Sequence, residues 1–176
     1  IDVLSKLPAL MLLNVSGCTS LANRETIGSL TGLRRLICCG ILTEEDVSID
    51  SWLTRMSGLR ELALSDCTSL THVDGLAAMT GLTHVGLAGC SSLKNVDGLA
   101  GLTGLLRLEV ILDDGCSVND LYGFEGCEAL SDISGLANLK RVVSLSFYQC
   151  SSLACIDAIS NLTQLEAVRL IECPAL

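Results

Sequence analysis

The chain has 176 residues, a formal net charge of −9 and a hydrophobic fraction of 49% with only 3% aromatics. Its 11 Lys and Arg residues supply no basic face of the kind nucleic acid demands, and an acidic surface instead favours solubility and a basic partner. No apolar run approaches the ~18 residues of a membrane span, so insertion into a bilayer is not expected.

Read in order, the chain is a repeat of the form L-x-x-L-x-L-x-x-C-x-x-L-x-x-V-x-G-L-x-x-L-x-x, with apolar slots 1, 4, 6, 9, 12, 15, 18 and 21. The opening "IDVLSKLPAL" aligns with "VDGLAAMTGL" and enters at slot 15. The unit from Leu10 carries Cys18 at slot 9. The unit from Leu33 runs 26 residues and lacks the slot cysteine; Ile41 is nearest, and adjacent Cys38 and Cys39 are expected to face inward and outward. The units from Leu59 (Cys67) and Leu82 (Cys90) are regular. The unit from Leu105 runs 37 residues, 14 more than the 23 of its neighbours. Its strand "LLRLEV" reads as normal and the pattern resumes at Cys127, which places an insertion loop within 111–126. Units from Val142 (Cys150) and Leu165 (Cys173) follow, and the chain stops at slot 12. Entry and exit in mid-unit, with no polar capping repeat, point to one solenoid domain over 1–176 that is a fragment of a longer array.

Within each unit, alternation over slots 4 to 8 predicts a short strand with one buried face. The spacing of three between slots 15, 18 and 21 predicts a turn of 3₁₀ or short α-helix. Asp74, Asp97, Ser134 and Asp157 precede that segment and are candidate caps. A strand and a helical return repeated at one length stack their strands in parallel, and folding is a property of the stack.

These residues resemble the leucine-rich repeat family. "LALSDCTSLTHVDGLAAMTGL" is similar to the cysteine-bearing repeats of trypanosomatid leucine-rich repeat proteins and more distantly to internalins. "GCSSL" is similar to plant disease-resistance receptors, although the L-P those receptors carry after the second leucine block is absent. The resemblance implies an α/β right-handed solenoid, with about seven parallel strands on a concave face and short 3₁₀ or α segments on the convex face. It also implies that slot 9 points inward, making Cys18, Cys67, Cys90, Cys127, Cys150 and Cys173 a structural column.

Stacked slot-9 cysteines ~4.8 Å apart with parallel Cβ vectors do not suit a disulfide. The ten cysteines therefore read as reduced, which favours an intracellular, cytoplasmic setting, with Cys116 the thiol most open to solvent. No Cys-x-x-Cys pair exists, and Cys150 with Cys155 lacks two further ligands, so no metal or cofactor is expected. Cys90 and His84 share a unit, but slot 9 faces the core and slot 3 faces out, which argues against a Cys–His nucleophile. His72, in the turn before the convex segment, carries no assigned role.

The insertion holds Asp113, Asp114, Asn119, Asp120 and Glu125, oxygen ligands without the spacing of a calcium loop. It reads as an exposed specificity loop, with Tyr122 and Phe124 either contacting a partner or pinning the loop to the solenoid. Slots 2, 3, 5, 7 and 8 should point away from the core. They display Arg34, Arg35, Glu61, Asp66, His84, Arg107, Glu109, Tyr148, Glu166 and Arg169, interrupted by small residues such as Ala63 and Gly86. Preserved core slots beside a varied outer row read as a non-enzymatic scaffold that binds a protein across the concave sheet. The alternatives are a structural spacer between flanking domains and the substrate-recognition part of a larger enzyme such as a ubiquitin ligase.

Overall fold

The computed structural model describes residues 2–21, 24–42, 50–108 and 123–176. Each alternating apolar run forms one strand: β1 Leu12–Asn14, β2 Arg35–Ile37, β3 Glu61–Ala63, β4 His84–Gly86, β5 Ser144–Tyr148 and β6 Ala167–Ile171. All pairings are parallel, in a four-stranded sheet β1-β2-β3-β4 and a two-stranded sheet β5-β6. The register advances by one unit per rung, so that Leu12, Arg35, Glu61 and His84 form one lateral row at slot 3.

The described residues thus hold six strands where about seven were expected, and the difference has a local cause. The rung between β4 and β5 is divided. Arg107 bridges to His84, Val85 donates its N–H to the Arg107 carbonyl, and Leu108 is buried at slot 4. The ladder resumes at Gly123: Phe124 N–H bonds to Ser146 O, Gly126 N–H to Tyr148 O, and Gly89 N–H to Glu125 O. Gly123 therefore takes slot 5 and Phe124 slot 6. The 14 surplus residues, 109–122, fall between two consecutive slots of one strand. Gly123–Gly126, expected inside the loop, belong to the solenoid.

The returns are 3₁₀ turns at Asp2–Lys6, Arg24–Ser29, Asp74–Ala78, Asp97–Leu99, Ser134–Leu136 and Asp157–Asn161, with one α-helical turn, α1, at Asp50–Leu53. The expected caps are displaced. Asp74, Asp97, Ser134 and Asp157 are the first helical residues, and Val73, Val96, Ile133 and Ile156 occupy the cap without a side-chain bond. Slot 14 does the capping instead: Asn95 Oδ1 accepts from Asp97 N, Asp132 Oδ1 from Ser134 N at 2.8 Å, and Cys155 Sγ from Asp157 N. The two Asp132–Ser134 hydrogen bonds hold the Asp132 carboxyl below its ordinary value.

Between strands and returns runs one continuous core of Leu, Val, Ile and Cys, from Val15 to Leu162. Turns approach so closely that a Cβ on Gly98 would overlap the Val73 carbonyl of the preceding turn. At the divided rung Phe124 and Phe147 stack at 5.3 Å between ring centroids, both wholly buried. Phe124 is thus part of the core packing. No helix among the described residues is long and apolar enough to cross a membrane.

Candidate functional site

Slot 8, just before the slot-9 position, takes the left-handed backbone conformation in every described unit: Gly17, Gly40, Asp66, Gly89, Gly126, Gln149 and Glu172, with φ from 53° to 73°. This reverses the chain out of the strand and turns slot 9 inward. Cys67, Cys90, Cys127 and Cys150 are buried there. Each donates Sγ–H to a carbonyl of the turn before it: Cys67 to Cys38 O, Cys90 to Leu64 O (3.3 Å), Cys127 to Leu87 O (3.2 Å), Cys150 to Phe124 O (3.0 Å). Cys173 is half-buried and keeps its bond to Phe147 O. Cys18, at slot 9 of the unit that carries β1, is exposed.

Burial pushes the Cys67 thiol up to about 11 and that of Cys150 to about 12. It raises Cys38, Cys90 and Cys127 as well. Such thiols hold their protons and are poor nucleophiles. All nine described cysteines are free, and Cys116 lies outside the described residues. Cys90 sits in the core, while His84 lies half-buried in the outer row with its Nδ1 2.9 Å from Thr83 Oγ1. The two therefore occupy opposite faces of the sheet. No cluster of three His, Cys, Asp or Glu residues among those described has metal-binding geometry. His72 Nδ1 lies 3.4 Å from Asp74 Oδ2 on the convex side.

The outer rows are less uniform than the template implies. At slot 5, Ile37 and Ala63 are buried, and with Cys39 they form a small second apolar cluster on the face opposite the main core. Cys39 does face outward as expected, but it is covered, and its N–H bonds to Ser16 Oγ. Gly86, Ser65 and Ala88 are buried too. Slots 5 and 7 of β2 to β4 are therefore closed to a partner. Asp66 is exposed at the left-handed slot 8, with its carboxylate leaning over Gly89.

What remains at least partly open is slot 3 and, on the last two strands, Ser144, Tyr148 and Arg169, while Ser146 is buried. Arg35 Nε and Glu61 Oε2 form an ion pair at 3.0 Å, followed along the row by His84 and exposed Arg107. Arg34 is exposed, but its Nη1 donates to Gly58 O at 2.7 Å and braces the next turn; Arg60 does the same to Gly81 O. On β5 and β6, Tyr148 is half-buried while Arg169 is exposed, as is Glu166 just ahead of β6. The Tyr148 hydroxyl is raised chiefly by the neighbouring Glu172 carboxylate. Arg169 Nη1 reaches Ser144 Oγ at 3.4 Å. Glu109, Asp113, Asp114, Asn119, Asp120 and Tyr122 lie outside the described residues; Glu125 is half-buried in the rung itself.

The sequence reading passed over three residues of this face. Arg60, Ser144 and Ser146 sit at slots 2, 3 and 5, and simple counting from Leu59 and Val142 locates them.

No protein-family model matches the chain, and no curated protein matches it. Solved structures do. Internalin C2 from Listeria monocytogenes aligns at 19% identity and TM-score 0.52, over 91% of this chain and 80% of that one. The leucine-rich repeat domain of the type III effector XopL aligns at 16% identity and TM-score 0.56, over 99% of this chain and 57% of that one. The plant peptide hormone receptor RGFR1, solved in complex with RGF2, aligns at 13% identity and TM-score 0.58 over 100% of this chain and 32% of the receptor. At these identities the likeness is one of fold, and the fold is the leucine-rich repeat solenoid.

Proposed function

We propose that this leucine-rich repeat solenoid is a non-enzymatic scaffold that binds a protein partner through the concave sheet face, across slot 3 and the outer rows of β5 and β6. The observation that carries the reading is the contrast between rows. Inward slots repeat the same apolar types from unit to unit, while slot 3 runs Leu12, Arg35, Glu61, His84, Arg107, Ser144, Ala167. A row free to vary in charge and size on an unvarying frame is a surface for contact. Binding on a preordered backbone also loses little conformational entropy. The reduced, carbonyl-bonded thiols fit a reducing compartment. The resemblance to trypanosomatid repeats rests on the slot-9 cysteine and the phrases around it.

The test uses a captured and identified partner. Arg107→Glu on the outer face should weaken its affinity by about tenfold or more, the cost of replacing a favourable charge contact by a repulsive one. Asn138→Lys, on the exposed convex return, should leave affinity within about twofold. Equal affinity for Arg107→Glu and the parent chain, with loss for Asn138→Lys, would move the interface to the other side.

A further inference from the structure

The large apolar side chains exposed among the described residues gather, Val143 apart, at the two ends of the stack. Among those residues β6 pairs with β5 alone, and its core slots stand open where those of β5 are closed. Val168 is 41% exposed against 1% for Leu145 at slot 4, and Leu170 43% against 0% for Phe147 at slot 6. At the other end β1 pairs with β2 alone among the described residues. Leu7 is exposed at slot 21, where Met79 and Leu102 are buried, and Met11 and Leu12 are exposed beside it.

The repeat makes these two faces complementary, because every interior pair of rungs already joins a face of one kind to a face of the other. Slots 6 and 8 donate to slots 5 and 7 of the next rung, as Val15 N–H does to Ile37 O and Gly17 N–H to Cys39 O. The slot-2 carbonyl accepts from slots 2 and 3 of the next rung, as Val143 O does from Glu166 and Ala167. Carried one rung on, Leu170 and Glu172 N–H meet Asn14 and Ser16 O of a second copy. Glu166 O meets its Met11 and Leu12 N–H. The thiol column supplies a third match. Each buried slot-9 thiol bonds the slot-6 carbonyl one rung back, so the exposed Cys18 of the second copy meets Leu170 O. Facing side chains do not repel: Glu166 stands beside Met11, Arg169 beside Asn14 and Val168 beside Leu13.

We propose that copies of this chain dock end to end, β6 of one against β1 of the next. The contact concerns the ends of the stack and leaves the concave face free. Its two patches differ, so it is heterologous, and each docking leaves a fresh end for another copy. Burial of the open leucines and pairing of two strand edges drive it. The test is sedimentation of the intact chain over a wide range of concentration, with Cys18 reactivity toward a soluble disulfide reagent followed in parallel. Weight-average mass should climb past that of a dimer. Labelling of Cys18 should slow in proportion to the associated fraction, while that of exposed Cys155 stays constant. Leu170→Glu and Leu12→Glu should each weaken association by about tenfold or more, because a carboxylate would lose water in an apolar seam. Mixed, the two variants should form a heterodimer that grows no further, since each supplies the end that the other lacks. A parent chain that stays monomeric, or that associates with Cys18 as reactive as before, would overturn the proposal without recourse to a variant. Undiminished growth of either variant would overturn it too, as would a mixture no larger than its components, the outcome for docking between like ends.

Discussion

The rungs β1 to β4 and the rungs β5 and β6 share one repeat template and fill their outer face with different residues. In the first group the strands are three residues long, slots 5 and 7 of β2 to β4 are small or apolar and buried, and Arg34, Arg35 and Arg60 are engaged within the solenoid. In the second the strands are five residues long, and the outer row carries half-buried Ser144 and Tyr148, buried Ser146 and exposed Arg169. The difference teaches that an outward slot is not by itself a contact surface. A side chain that braces the next turn or closes over its neighbour is consumed by the fold.

The junction between the two regions is where the comparison breaks most readily. Phe124→Ala removes the ring stacked on Phe147 and should cost about 3–5 kcal/mol, as for other buried aromatic truncations. Urea unfolding is expected to show the lower midpoint together with a smaller m-value as β5 and β6 uncouple from the rest. A loss under about 1 kcal/mol would mean that the ring pair does not join them.

A smaller effect should strike both regions equally, because the thiol column crosses the junction. Cys67 before it and Cys150 after it have folded values raised above the ordinary 9.0. A raised value means that the folded state holds the proton after the unfolded chain has released it. The stabilisation is complete below about pH 9 and is lost as pH climbs to about 11 for Cys67 and about 12 for Cys150. Each buried thiol should cost on the order of 1 kcal/mol between about pH 8 and about pH 10. Urea titrations at the two ends of that range check it, and unchanged stability would contradict the burial.

The mildest comparison sets one arginine against another. Arg34→Ala, which removes the brace on Gly58, should cost about 1 kcal/mol, whereas Arg169→Ala, which removes only the longer 3.4 Å contact with Ser144 Oγ on exposed surface, should cost less. If both variants melt alike, the division between bracing and open arginines is wrong.

The solenoid was legible because its apolar period survives most substitutions: Phe147 or Ile133 serves a leucine or valine slot as well as any, and the unit from Leu10 breaks it at Arg24. The left-handed slot 8 was not, since glycine marks it at Gly17, Gly40, Gly89 and Gly126 but Asp66, Gln149 and Glu172 do not. The caps were misplaced by two residues because an Asp stands at the start of most 3₁₀ turns, while the bond is made by whatever precedes the cap, even Cys155. The far end of the insertion was placed at 126, although the ladder resumes at Gly123. Counting back from Cys127 puts Phe124 at slot 6 and finds the boundary. Of the outer face, the sequence named the charged residues but not which of them the fold had already engaged, since that depends on where the neighbouring turn's carbonyls fall.

The divided rung has a consequence for how the chain tolerates change. Leu108 and Gly123 stand at adjoining stations of a rung whose first half is bonded to the rung before it and whose second half is bonded on both flanks. Anything spliced between those two stations is anchored by the same pair of residues whatever its length, and each doubling of that length adds only ~0.6 kcal/mol of closure entropy. The stack thereby offers a socket in which one segment can be exchanged for another while the scaffold on either side stays in step.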